Sequence, residues 1–79
     1  MSSDIVLTII IPCFNEIKTI KKIVNKIRKQ KIRKQIILID DFSTDGTKQL
    51  IKKILYKKVD KVIYHKKNLG KGACIKSGI

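Results

Sequence analysis

The stretch that decides the fold spans residues 36–47 and reads IILIDDFSTDGT. Four apolar residues lead into Asp40 and Asp41, and a polar turn with Gly46 comes before an amphipathic run. This order predicts a buried strand, an acidic tip and the start of a helix. With Asp45, the tip holds three of the chain's six acidic residues. Ligands of open α/β sheets bind beyond the carboxyl ends of strands, so we expect a functional site at this tip.

The composition indicates a small globular unit with a strongly basic surface. Its 79 residues carry 19 Lys or Arg against six Asp or Glu, and 43% of them are hydrophobic, which argues against disorder. A net charge of +13 suits nucleic-acid binding, but only two of the basic residues are arginine, the type favoured for forked contacts to phosphates and bases. We therefore favour a solvated lysine-rich surface, then an acidic membrane or polyanion partner, and lastly specific nucleic-acid binding.

Cysteine usage and hydropathy indicate a cytosolic protein. Cys13 and Cys74 are far apart in a chain with a single histidine, too few ligands for a zinc site, so we interpret them as reduced thiols. The first residues lack the basic region of a signal peptide. The longest apolar stretch, residues 5–11, is far shorter than a membrane span.

Strands and helices are predicted to alternate along the chain. Residues 5–11 are apolar and mostly β-branched, typical of a strand buried on both faces, and we expect Pro12 to end its ladder. Residues 16–30 have the periodicity of an amphipathic helix, with Asn15 as the expected N-cap. The remaining predicted elements are a strand over 35–39, a helix from Ser43 or Thr44, a strand over 61–65 and a helix over 73–79. Short connections predict a parallel sheet with right-handed crossovers, an α/β fold.

Three strand tips should gather at one edge of this sheet, namely residues 12–16, 40–47 and 65–71. Helix N-termini at these tips offer N–H groups to an anion, whereas carboxylates there accept donors such as a nucleobase N–H or ribose hydroxyls. Asp40 and Asp41 are adjacent on extended backbone, so their side chains should point to opposite sides. We therefore do not expect them to bind one metal ion together.

Several other types of site are disfavoured by the motifs. Residues 70–72 lack the spacing and hydroxyl residue of a P-loop, and no GxGxxG follows a predicted strand. His65 is interpreted as a strand-end residue, and neither a Ser/His/Asp nor a Cys/His pairing is suggested by order or spacing. Asp45 is interpreted as an acid of a helix's first turn. For Asp41 a structural and a binding role remain open.

Three motifs resemble family 2 glycosyltransferases, most closely the dolichyl- or polyprenyl-phosphate sugar synthases. They are IIIPCFNE at 9–16, ILIDDFSTDGT at 37–47 and NLGKGA at 68–73. The three motifs stand in the family's order and at its spacing, and the resemblance they define spans most of residues 5–79. The resemblance implies the N-terminal half of a GT-A fold, a Rossmann-like nucleotide-binding fold, with three strands present in a β-α-β-α-β-α order.

The resemblance also implies which residues bind a UDP- or GDP-sugar. The five matching positions are Pro12, Phe14, Glu16, Asp41 and Lys71. The first three would line the base and ribose pocket, Asp41 would hydrogen-bond the base, and Lys71 would lie on the diphosphate side. Phe14 stands where many relatives have tyrosine, which preserves ring stacking. Phe42 stands where glycine is common, a departure that alters the turn.

The implied function is transfer of a sugar from a nucleotide-sugar donor to a glycan, lipid or polyprenyl-phosphate acceptor. In the family, Mg²⁺ or Mn²⁺ is held by an Asp-x-Asp motif after a fourth strand, and the catalytic base follows later. Because neither is present, we expect residues 1–79 to be a partial domain that binds the donor nucleotide, without catalytic residues or metal ligands of its own. We expect it to be inactive alone and poorly stable, with residues 5–11 forming an uncovered edge.

Two further expectations concern partners and location. The alternative function is a small basic module that binds nucleotides or polyanions without catalysis. The lysine-rich face would suit the cytoplasmic face of a membrane, so the expected location is the cytoplasm or that surface, with no specific nucleic-acid partner.

Overall fold

The computed structural model describes residues 7–79 and contains three strands that alternate with helices. The elements are β1 (Leu7–Cys13), α1 (Ile20–Arg28), β2 (Lys34–Asp40), α2 (Thr47–Lys53), a 3₁₀ helix (Leu55–Lys58), β3 (Lys61–Tyr64) and α3 (Lys71–Gly78). The strands pair in parallel in the order β1-β2-β3. The predicted β-α-β-α-β-α arrangement is therefore confirmed. Residues 5 and 6 of the predicted first strand lie outside the described residues.

Helices cover the two faces of the sheet, and β2 is buried between them. On one face, strand residues such as Ile11 and Leu38 pack with residues of α1, α2 and the 3₁₀ helix. On the other face, Ile37 and Ile39 pack with Cys74 of α3. The two sets alternate along β2 because successive side chains of a strand point to opposite faces. This explains why a continuous apolar run, rather than an alternating one, precedes the acidic tip.

The first strand departs from its prediction in two ways. Pro12 does not end the ladder, because β1 continues to Cys13 and pairs there with Asp40. The N–H of Leu7 donates to Arg33, so by alternation the nitrogen of Pro12 faces away from β2 and no ladder hydrogen bond is lost. Within the described residues β1 pairs with β2 alone, which leaves Leu7 half exposed rather than buried on both faces.

Two helices begin later than predicted, and for α2 the cause is side chains that bond the backbone before the helix. Asn15 has φ of +52° and is not the N-cap of α1, which begins at Ile20. Its Oδ1 instead accepts a hydrogen bond of 2.7 Å from the N–H of Thr44, and Asp40 accepts from the N–H of Ser43. These bonds hold the turn after β2 in a non-helical form, so α2 begins at Thr47.

The third helix begins two residues earlier than predicted, at Lys71. Gly70, just before it, has φ of +87°, which a residue without a Cβ adopts readily. Over residues 7–79, no helix has the length and apolar character needed to cross a membrane.

Candidate functional site

A cavity of about 190 Å³ lies at the carboxyl edge of the sheet, beside the start of α3. Its lining residues are Pro12, Cys13, Phe14, Glu16, Asp41, Lys71 and Cys74. The fold thus brings together all five residues that the motifs single out, and it adds the two cysteines. A space this small accepts a group the size of a nucleobase, since drug-sized sites measure roughly 300–1,000 Å³.

Hydrogen bonds to Asp41 connect the loop between β3 and α3 to the end of β2. Its Oδ1 accepts hydrogen bonds from Nδ1 of His65 and from the N–H of Leu69, each at 2.8 Å. Its Oδ2 accepts a third, also at 2.8 Å, from the N–H of Gly70. The carboxylate therefore has a structural role, and it borders the cavity at the same time.

These contacts determine the charge of Asp41. Burial by itself raises the pKa of this carboxyl, but the hydrogen bonds from His65, Leu69 and Gly70 outweigh burial and hold the pKa below its usual value. Asp41 is therefore ionised at neutral pH. Nδ1 of His65 donates to this carboxylate, which leaves Nε2 of the same ring for a further partner.

That further partner is Ser77, whose hydroxyl lies 2.8 Å from Nε2 of His65. Order and spacing suggested no Ser/His/Asp arrangement, but the fold forms one, because the ends of β2 and β3 and helix α3 bring together three residues that are far apart in the sequence. His65 is only 8% exposed, and hydrogen bonds at both ring nitrogens hold its ring in place. Ser77 is absent from the cavity lining, so the arrangement orients Asp41 rather than presenting a nucleophile to a ligand there.

Asp40 acts on the opposite side of β2 from Asp41, as its position on extended backbone predicts. It is fully buried, and its Oδ2 accepts a hydrogen bond of 3.2 Å from the N–H of Ser43. Its Oδ1 has no hydrogen-bond partner among the described residues. Burial raises the pKa of the Cys13 thiol to about 12, and the negative charge of Asp40 adds to this effect.

Asp45 connects the loops that follow β1 and β2. One oxygen accepts hydrogen bonds from the N–H and the hydroxyl of Thr47, the first residue of α2, and the other accepts from the N–H of Ile17 at 3.2 Å. Burial raises the pKa of Asp45, but these bonds outweigh it and leave the pKa below its usual value. Asp45 thus stabilises the start of α2 from a position before the helix; the interpretation as a first-turn acid is wrong, because Gly46 is the N-cap and no acidic residue lies in the first turn.

Asp41, His65 and Cys74 place potential metal-ligand atoms within 4.8 Å of one another. This set does not fit Mg²⁺ or Mn²⁺, which prefer oxygen ligands, because it offers one carboxylate beside nitrogen and sulfur. Burial and the charge of Asp41 also raise the pKa of Cys74, which disfavours the thiolate that binds metals. The geometry is that of a hydrogen-bonded pair with a neighbouring thiol.

Sequence reasoning missed the parts of the site that depend on tertiary contact. His65 was visible only as a single histidine after a strand, and Ser77 carried no signal because its partner lies 12 positions earlier. The link between Asn15 and Ser43, whose hydroxyl accepts from the N–H of Asn15 at 3.0 Å, was equally hidden.

Comparison with known proteins identifies the family. The profile of glycosyl transferase family 2 matches residues 8–79, nearly the whole chain. The chain belongs to this glycosyltransferase family. No significant match was found among curated proteins or solved structures.

Proposed function

We propose that this chain is the donor-binding part of a glycosyltransferase domain and that the cavity at the carboxyl edge receives the base of a UDP- or GDP-sugar. One observation carries the proposal: the five residues assigned by the three motifs line a single cavity. A parallel α/β sheet places ligands at this edge, and the family membership supplies the reaction class, transfer of a sugar.

The proposed roles follow from position and chemistry. Pro12 and Phe14 form an apolar wall, and the Phe14 ring is 43% exposed and so free to stack on a base. Glu16 is exposed and offers an acceptor to ribose hydroxyls. Lys71 is the first residue of α3, where its charge and the helix N-terminus both favour a diphosphate.

The proposal assigns donor binding, and no transfer step, to the described residues. Transfer in this family calls for Mg²⁺ or Mn²⁺, and the donor set at Asp41 does not fit those ions. We propose that the metal ligands and the catalytic base belong to other parts of the complete enzyme, that residues 1–79 alone are inactive, and that the acceptor is a glycan, lipid or polyprenyl phosphate at the cytoplasmic side of a membrane.

Titration calorimetry of the chain with UDP and with GDP tests donor binding. Asp41→Ala should weaken binding by about tenfold or more, since a hydrogen bond to a charged group contributes roughly 1.5–3 kcal/mol. Lys71→Gln, at an exposed position, should weaken a diphosphate while leaving the fold intact. Asp60→Ala is the matched control, because Asp60 also accepts a backbone N–H, from Ile36, but at the opposite edge.

The result of this titration can contradict the proposal in two ways. Failure of both nucleotides to bind the folded chain would remove the donor site altogether. Unchanged affinity in the folded Asp41→Ala and Lys71→Gln variants would show that nucleotides bind elsewhere. Circular dichroism of each variant establishes that it is folded before its affinity is compared.

A second candidate function, binding to an anionic surface, is favoured by a groove of about 380 Å³ at the opposite edge of the sheet. Its lining residues are Arg28, Ile32, Lys34, Ile36, Lys57, Lys58, Val59 and Asp60. Four of these are cations, and Ile32 is 57% exposed between Lys31 and Arg33, a mixture that suits an anionic bilayer.

Co-sedimentation with phosphatidylserine vesicles at physiological salt tests binding to an anionic surface, with duplex DNA as the competing polyanion. Absence of binding to both would exclude this role.

A further inference from the structure

Among residues 7–79, the hydrogen bonds to the Asp41 carboxylate leave a single acceptor position for a ligand. A carboxylate offers two oxygens with about four acceptor positions in total. His65 and Leu69 occupy both positions of Oδ1, and Gly70 occupies one position of Oδ2. Because Asp41 lines the cavity, the remaining position on Oδ2 is the one that a bound ring can use.

We propose that this arrangement makes the site selective for uracil over guanine, an inference that rests on the proposed binding of a nucleotide base in the cavity. Uracil presents one ring N–H, between two carbonyl groups, and needs one acceptor. Guanine presents a ring N–H next to an amino group, and this pair of donors matches both oxygens of a free carboxylate. At Asp41, one of these two donors would be left without an acceptor.

The cost of that mismatch determines the preference. A buried donor without a partner loses its hydrogen bonds to water and gains nothing in return, which is how polar sites reject ligands that differ by one group. The preference therefore originates in the residues that fill Oδ1. Leu69 does so through its backbone N–H, which substitutions other than proline leave in place, whereas His65 does so through its side chain.

His65 and Ser77 are thus positioning residues for this selectivity. The Ser77 hydroxyl and the Asp41 carboxylate hold the two ring nitrogens of His65, each at 2.8 Å. The ring cannot turn away from Oδ1 without breaking both bonds. Selectivity in the cavity consequently depends on Ser77, a residue of α3 that does not line it.

Competitive calorimetry of the folded wild-type chain with UDP and GDP tests the inference without any variant. We expect UDP to bind about tenfold more tightly or better, as for the loss of one hydrogen bond in a buried site. GDP binding as tight as UDP, or tighter, would overturn the inference and leave the proposed donor site standing. Failure of both to bind would instead overturn the proposed function, and the inference with it.

Variants of His65 test the origin of the preference. His65→Ala frees one position on Oδ1, so the ratio of UDP to GDP affinity should fall toward one. His65→Asn keeps an N–H donor close to the position of Nδ1 and should retain the preference. Lys66→Ala, at the exposed neighbouring residue, is the matched control and should change nothing. An unchanged ratio in folded His65→Ala would show that His65 does not determine the selectivity.

Discussion

Nδ1 of His65 lies 2.8 Å from Oδ1 of Asp41, and the N–H of His65 donates to the carbonyl of Asp40 at 2.9 Å. A side-chain bond and a main-chain bond therefore join the carboxyl ends of β2 and β3. Because Asp41 also holds the N–H groups of Leu69 and Gly70, the loop leading to α3 is fixed to the same point. The edge of the cavity is preorganised before any ligand enters.

Stability should fall at acid pH because two carboxyls have lowered pKa values. The pKa of Asp41 and of Asp45 lies below the ordinary value of 3.8 in the folded chain. Their contribution is therefore present above the ordinary value of 3.8, which applies to the unfolded chain, and is lost as the pH falls through the folded-state pKa. Urea denaturation at pH 7, 5 and 3 measures this. Asp41→Asn should lower the free energy of unfolding at pH 7 by about 1–3 kcal/mol.

The same variant is the control for the acid effect. Asp41→Asn should also flatten the pH dependence, since one of the two titrating groups is removed. Superimposable pH profiles for the variant and the wild type would contradict a stabilising role of the ionised Asp41.

Phe42→Gly should stabilise the chain. Phe42 has φ of +64°, a left-handed conformation that costs a residue with a Cβ about 1–2 kcal/mol, and its side chain is 44% exposed. Glycine adopts this conformation freely but adds entropy to the unfolded chain, which leaves a net gain of about 0.5–1 kcal/mol. Thermal denaturation followed by circular dichroism measures the gain.

Tyr56→Gly is the control for that substitution. Tyr56 is a similarly exposed aromatic residue, at 47%, without a positive φ, so its replacement by glycine should destabilise the 3₁₀ helix. A loss of stability in both variants would argue against backbone strain at Phe42.

Both thiols should be inert in the folded chain. Burial, with the nearby charge of Asp40, raises the pKa of Cys13 to about 12, and Cys74 is also buried with a raised pKa. Because the thiolate is the reactive form, alkylation by iodoacetamide at pH 8 should be slow until urea unfolds the chain. Mass spectrometry of labelled peptides distinguishes the two positions. Rapid labelling of either cysteine under native conditions would contradict this account.

Among residues 7–79 no strand pairs with the outer edge of β1, and this edge should promote self-association. The backbone groups of Thr8 and Ile10 face away from β2, and an unpaired edge is a template for another chain. The charge of +13 opposes association, so sedimentation velocity should detect oligomers mainly at high salt. Thr8→Lys should suppress them, whereas Gln49→Lys, the same charge change on exposed α2, should do so less. A monomer at every salt concentration, with cooperative unfolding, would remove this prediction.

Much of the fold was predictable because it depends on local pattern. The run Ile36–Ile39 identifies the central strand through its apolar β-branched residues, and the alternation of strands and helices determines a parallel sheet. Element boundaries were less predictable. Pro12 was expected to end a strand that continues past it, because only the register shows that its nitrogen faces outward.

The candidate site, like the fold, was predictable from the sequence only in part. The acidic tip after β2 was identifiable from the sequence, because three carboxylates stand together in a basic chain and strand ends are where α/β folds bind ligands. The sequence also supplied the motifs that place Pro12, Phe14, Glu16, Asp41 and Lys71 at one edge. Only the tertiary structure decided how many acceptor positions of the Asp41 carboxylate remain available to a ligand. Its partners His65, Leu69 and Gly70 all come from the loop between β3 and α3, and hydrogen bonds between such distant residues leave no periodic signal in the chain.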